Sequence, residues 1–151
     1  LAFCVGASTI VAQKDEPVAL IGTIVKWQYS GSKLSVSNMT DAATTDASGM
    51  RTAPSVVLSS TMITEDSVDD VVQFYRTLLK RDPKAEDKLG TAPEVGRSVT
   101  INDESDGRPF PFHTIFVNTP ESSTMLIVTC GADEKETRIT WKQYLRFKIG
   151  E

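Results

Sequence analysis

Histidine and cysteine are scarce: the chain of 151 residues holds one histidine, His113, and two cysteines, Cys4 and Cys130. One imidazole excludes a multi-histidine metal site, and two thiols are too few for the spacings that hold structural zinc or haem. The sequence also lacks G-x-S-x-G, G-x-G-x-x-G and G-x-x-x-x-G-K-[ST]. The nucleophile elbow, the dinucleotide loop and the phosphate loop are therefore missing, and no cofactor or metal is expected. Positive charge is in deficit, with 16 Lys and Arg against 20 Asp and Glu, a formal net charge of -4. No long-range field gathers phosphates, polyanion binding would need a local basic patch, and nucleic acid is not an expected partner.

What is present suits one globular domain. The chain is 40% hydrophobic and 24% charged, an ordinary balance at a length that buries a core without staples. Leu1 to Ala12, LAFCVGASTIVA, is uncharged and mostly apolar or small, and a charged run from Lys14 to Glu16 follows it. It reads as the remnant of a signal peptide, with Ala12 at the cleavage site and residues 13–151 as a single mature domain. The expected location is outside the cell or in the bacterial envelope, with no transmembrane segment in the mature chain, since the apolar stretch is too short as it stands. Cys4 follows Phe3 rather than the small residue that lipid-modified cysteines follow. Removal of the signal leaves Cys130 without a disulfide partner, and its place in the apolar run Met125 to Cys130 marks it as a small core residue.

Ser67 to Arg81 carries the clearest periodicity. Val68, Val71, Val72, Tyr75, Leu78 and Leu79 recur at three- and four-residue steps, with Asp69, Asp70, Gln73, Arg76 and Lys80 mainly on the other side, which predicts an amphipathic helix. Ser67 is a good N-cap, the two aspartates sit where the helix end is positive, and Lys80 and Arg81 close the last turn before Pro83. The same chemistry accounts for the acidic cluster Glu65, Asp66, Asp69 and Asp70 without a cation.

Most of the remainder reads as strands. Ser55 to Ile63 is β-branched and runs into the helix, and Leu34 with Val36 gives a shorter alternation before it. Arg97 to Asn102, Phe110 to Asn118, Thr124 to Cys130 and Thr137 to Phe147 follow, separated by short turn-like stretches. Short loops between consecutive strands imply an antiparallel meander. The predicted fold class is α+β, two layers, with one main amphipathic helix on an antiparallel sheet of about four to six strands. Thr40 to Pro54 and Pro83 to Gly96 lack periodicity and are expected to be loops.

Two resemblances join this reading. WQYSGSKL at Trp27 to Leu34 and TMITEDSVDDVVQFYRTLL at Thr61 to Leu79 resemble a recurrent type of bacterial secreted or periplasmic domain. In that type a Tyr-Pro-Gly-Ala-like turn precedes a strand and a Thr-x-Asp-Ser-x-x-x-Val-x-x-Phe-Tyr helix start. Thr64, Asp66, Ser67, Val71, Phe74 and Tyr75 match the second element; Ser30 and Ser32 replace the Pro and Ala of the first. The resemblance implies an envelope location and a fold, and carries no activity. Val71 to Ala85 also resembles the opening helix of cystatin-like, nuclear-transport-factor-type domains, which would imply a cone-shaped sheet around a pocket. That family begins with its helices, whereas here strands precede the helix.

Candidate site residues are few. His113 lies in PFPFHTIFVN, on one strand face with Ile115 and Val117, which suits a structural ring. As a general base it would need a carboxylate from the neighbouring loop, Asp103 or Asp106, to orient it inside a pocket. The loop NDESDG places Asn102, Glu104, Asp106 and Gly107 as a calcium loop would, but His113 occupies the closing Glu position, so a hairpin loop is expected. The aromatic and basic last strand, Trp141, Tyr144, Arg146 and Phe147, is the candidate interaction surface. Two functions follow from these features. The first is a non-catalytic secreted or envelope domain that binds a partner, such as another envelope protein, through a sheet face or edge. The alternative is a pocket-bearing enzyme or small-ligand binder of the cystatin-like type, using His113 and the acidic loop.

Overall fold

The computed structural model describes residues 20–50, 52, 55–80 and 97–146. Its elements are α1 (Leu20–Val25), β1 (Lys33–Asp41), β2 (Ser55–Thr64), α2 (Val68–Leu78), β3 (Ser98–Asp103), β4 (Phe112–Asn118), β5 (Ser122–Thr129) and β6 (Thr137–Arg146). The strands form one six-stranded sheet in the order β1-β2-β6-β5-β4-β3, and every neighbouring pair is antiparallel. This is the expected α+β architecture. β3 to β6 make the meander, and β6 then closes against β2, so its ten residues sit mid-sheet.

Alternation along β2 and β6 sets the core. Leu58 and Met62 on β2, Ile139 and Trp141 on β6, Leu126 and Val128 on β5 and Ile115 on β4 are fully buried on one face. Register aligns them in rows, Ser60↔Trp141↔Leu126↔Ile115 and Met62↔Ile139↔Val128↔His113. α2 covers this face through Val68, Val71, Val72 and Tyr75, with Leu79 at its C-cap also buried. Leu78, expected on the buried stripe, is only half-buried, because the helix ends there and the chain turns at Leu79.

Both ends of α2 are tied down. Ser67 Oγ accepts the Asp70 backbone N–H at 3.1 Å and donates to the Asp70 carboxylate at 2.6 Å, so one side chain satisfies an otherwise unpaired helix donor. At the far end the Arg97 guanidinium donates to the Leu79 carbonyl at 3.1 Å, fastening the approach to β3 against the helix terminus. Arg81, Pro83 and the predicted loop to Gly96 lie outside the described residues, as do residues 1–19 and Phe147.

The start of the Trp27 to Leu34 segment packs against α2. Trp27 and Tyr29 are buried, and Tyr29 meets Phe74 edge-on with ring centroids 4.9 Å apart. The turn after Tyr29 needs a positive φ, and Gly31 supplies it at 80°, a conformation that costs glycine little. Ser32 locks the turn by donating its N–H and its hydroxyl to the Tyr29 carbonyl.

Candidate functional site

The corner built by β3 and β4 holds the sequence's catalytic candidates. His113 is opposite Val128 on one side and Asp103 on the other, on the core face. Its Nε2 lies 3.8 Å from Asp103 Oδ1, beyond hydrogen-bonding distance. Its Nδ1 is buried without a partner among the described residues. The Asp103 carboxylate is engaged elsewhere: Oδ1 accepts the Ser105 N–H at 2.9 Å. Bonds from the Ser105 hydroxyl and N–H hold the acid below its ordinary range, and His113 adds a smaller pull in the same direction. Asp106 is exposed in the turn at Gly107, whose φ is 74°. Glu104 accepts the Thr114 hydroxyl at 2.7 Å, and its carbonyl accepts from Arg108 Nε. The loop is thus an internally bonded hairpin corner that does not hold His113 in the manner of a general base.

The remaining buried polar groups serve packing. Tyr29 Oη donates to Asp66 Oδ2 at 2.6 Å, and this bond with burial pushes the phenol pKa up to about 12. Tyr75 Oη donates to the Trp27 carbonyl, and burial raises its pKa further still. Gln143, opposite Leu58 on the core face, is buried with Nε2 donating to Thr124 Oγ1 at 2.8 Å and Oε1 without a partner among the described residues. Cys130 is half-buried against the core edge and donates to the Glu134 carbonyl at 3.3 Å. Among the described residues no group of three or more His, Cys, Asp and Glu side chains could hold a metal ion. No described helix is long and apolar enough to cross a membrane.

The outer face of the sheet has a different character. Its ladder positions run Lys33↔Ile63↔Arg138↔Thr129↔Phe112, then Val36↔Thr61↔Thr140↔Ile127↔Thr114, then Asn38↔Ser59↔Lys142↔Met125↔Phe116, then Thr40↔Val57↔Tyr144↔Ser123↔Asn118. Arg146 ends the β6 row opposite Ser55. Apart from Ser55 and Thr114 no described residue at these positions is buried; Val57, Ile63, Phe112, Phe116, Met125 and Ile127 are half-covered, and Val36 and Tyr144 are exposed. No Asp or Glu stands at any ladder position of this face among the described residues, whereas Lys33, Arg138, Lys142 and Arg146 do. Acids adjoin it in two places: Glu104 reaches the Thr114 hydroxyl from the β3 to β4 corner, and Glu65, Glu134 and Glu136, with Ile63, Lys135 and Arg138, line an open cleft of about 700 Å³ where β2 leaves and β6 enters the sheet.

No family model, curated protein or solved structure matches this chain.

The predicted surface residues are divided by the fold. Tyr144 is 37% exposed on the outer face with its hydroxyl on Ser55 Oγ, and Arg146 is exposed beside it. Trp141, grouped with them from composition, is fully buried in the core, one residue out of phase with that face. Phe147 lies outside the described residues. Lys142 and Arg138 share the Tyr144 side of β6 and were legible from alternation. Lys33 was not, because its membership depends on β1 pairing with β2.

Proposed function

We propose that the chain is a non-catalytic secreted or envelope domain that binds a partner through the outer face of its sheet. The observation that carries this reading is a sheet face that no described helix covers: half-buried aliphatic side chains, hydroxyls and four cations, in a chain whose net charge is negative. An open sheet face suits contact with another macromolecule better than enclosure of a small molecule. The apolar Leu1 to Ala12 stretch supports an export route. The pocket-bearing alternative draws less support, because the His113 ring and Asp103 are too far apart for a hydrogen bond, and neither the open cleft at Arg138 nor a smaller one beside it at Gly31, Lys33 and Asp66 includes them.

A photo-crosslinking side chain placed at Lys142 tests the proposal in cells of the producing organism. A discrete adduct is expected from position 142 and none from position 73, where Gln73 is exposed on α2. The opposite pattern would move the functional surface to the helix side.

A further inference from the structure

We infer that the outer sheet face takes an extended acidic segment of a partner protein, laid along β6 with its carboxylates spaced to meet Arg138, Lys142 and Arg146. This rests on the proposed binding role of that face and names the chemistry of what binds. On one side of β6 the residues run Arg138, Thr140, Lys142, Tyr144, Arg146. Cations therefore recur at every fourth residue, about 13 Å apart at strand rise. Ile127 on β5 flanks the gap at Thr140 and Val57 on β2 the gap at Tyr144, while Ile63 and Met125 stand beside Arg138 and Lys142 themselves. Lys33, Lys142 and Arg146 have no ion pair with a described residue. Among the described residues Arg138 pairs with Glu134, at 3.7 Å with both side chains 51% exposed, and shares its open cleft with Glu65 and Glu136, an arrangement that solvent screens and a partner can replace.

The spacing selects the class of polyanion. A nucleic acid carries a phosphate at every nucleotide and gains from ring stacking. Here the charges are sparse, Phe112 is already under the Arg108 guanidinium at 4.3 Å, and the Tyr144 hydroxyl is tied down. A polypeptide strand presents alternate side chains to one side. Carboxylates at positions i and i+4 with an apolar residue at i+2 would match the cations and the flanking aliphatic groups together.

The test uses the full chain and a synthetic peptide repeating Glu-Ser-Val-Ser, followed by backbone amide spectra. The expected result is shifts confined to β2, β5 and β6, with affinity that falls as salt rises. Lys142→Glu should weaken binding about tenfold and Lys142→Gln less, while Gln73→Glu on the helix changes it less than about twofold. Equal binding of a Gln-for-Glu peptide, or an unchanged affinity in Lys142→Glu, would overturn the inference. Tighter binding of polygalacturonate or a single-stranded oligonucleotide at the same residues would overturn the partner class and leave the binding face standing. Shifts confined to α2 and the β3 to β4 corner would overturn both.

Discussion

A phenol hydrogen-bonded to a carboxylate resists losing its proton, and Tyr29 is in that position against Asp66. Its ordinary pKa of 10.0 is raised to about 12 in the folded chain. Below pH 10 it is protonated in both states and its contribution to stability is complete. As pH rises from 10 towards 12 the unfolded chain gives up the proton while the folded one holds it, so stability falls. Tyr75, shifted upward by burial, acts in the same direction. Thermal unfolding followed between pH 9 and 11 should show this decline, and Tyr29→Phe should make it shallower. The buried amide of Gln143 gives a second expectation. Its unpaired Oε1 costs desolvation that its one bond to Thr124 only partly offsets. The double change Gln143→Met with Thr124→Val should leave stability within about 1 kcal/mol of the original or raise it, whereas Thr124→Val alone should lose about 1 kcal/mol or more by stranding the amide. Urea midpoints of the three variants decide between these outcomes. Neither group was legible beforehand, because alternation reports which side a residue takes and not what hydrogen-bonds it there.

Elements were the most legible level, since helix and strand periods are local properties of sequence. The α2 stripe predicts its own energetics: Val71→Ala opens a cavity beneath the helix and should cost about 2 to 4 kcal/mol, while Gln73→Ala, on the exposed side, should stay within about 0.5 kcal/mol. Leu78→Ala should fall between them because Leu78 is half-buried. Ser67→Ala removes the N-cap oxygen and should cost about 1 kcal/mol. Denaturant titration of the four variants reads all of these, and equal losses at Val71 and Gln73 would refute the assignment of the stripe. The limits of β2 to β6 agree with the predicted runs to within a residue or two, whereas β1 runs on through Thr40 and Asp41, which were expected to open a loop. α1 was missed, because six residues with only Ile24 buried give no measurable period. β1 was seen in part, at Leu34 and Val36; its nine residues are all exposed at the sheet edge, so hydrophobic alternation had little to mark.

At the scale of the whole molecule the decisive pairing is β2 with β6, which sequence alone does not encode in any local signature. The meander from β3 to β6 follows from short loops, but nothing in those loops says that β6 ends beside a strand that precedes α2. Consequently the outer face, whose charge depends on which strands are neighbours, was visible only strand by strand. The same pairing makes stability unevenly distributed. β6 has a partner on each side and contributes Ile139 and Trp141 to the core, whereas β1 and β3 each have one paired edge. Removing residues 137–151 would leave β2 and β5 with open edges and strip the core of one of its two tryptophans, so the shortened chain should show no cooperative unfolding transition. A truncated chain that still unfolds cooperatively would refute the central role of β6. In the intact protein, amide exchange supplies the complementary measurement. Amides bonded between β2, β6 and β5 should exchange only through global unfolding, and those of β1 and β3 much faster through local opening. Comparable protection in β1 and β6 would mean that the β1 edge is covered in solution. Slow exchange there that becomes fast on dilution would identify a second copy of the chain as the cover.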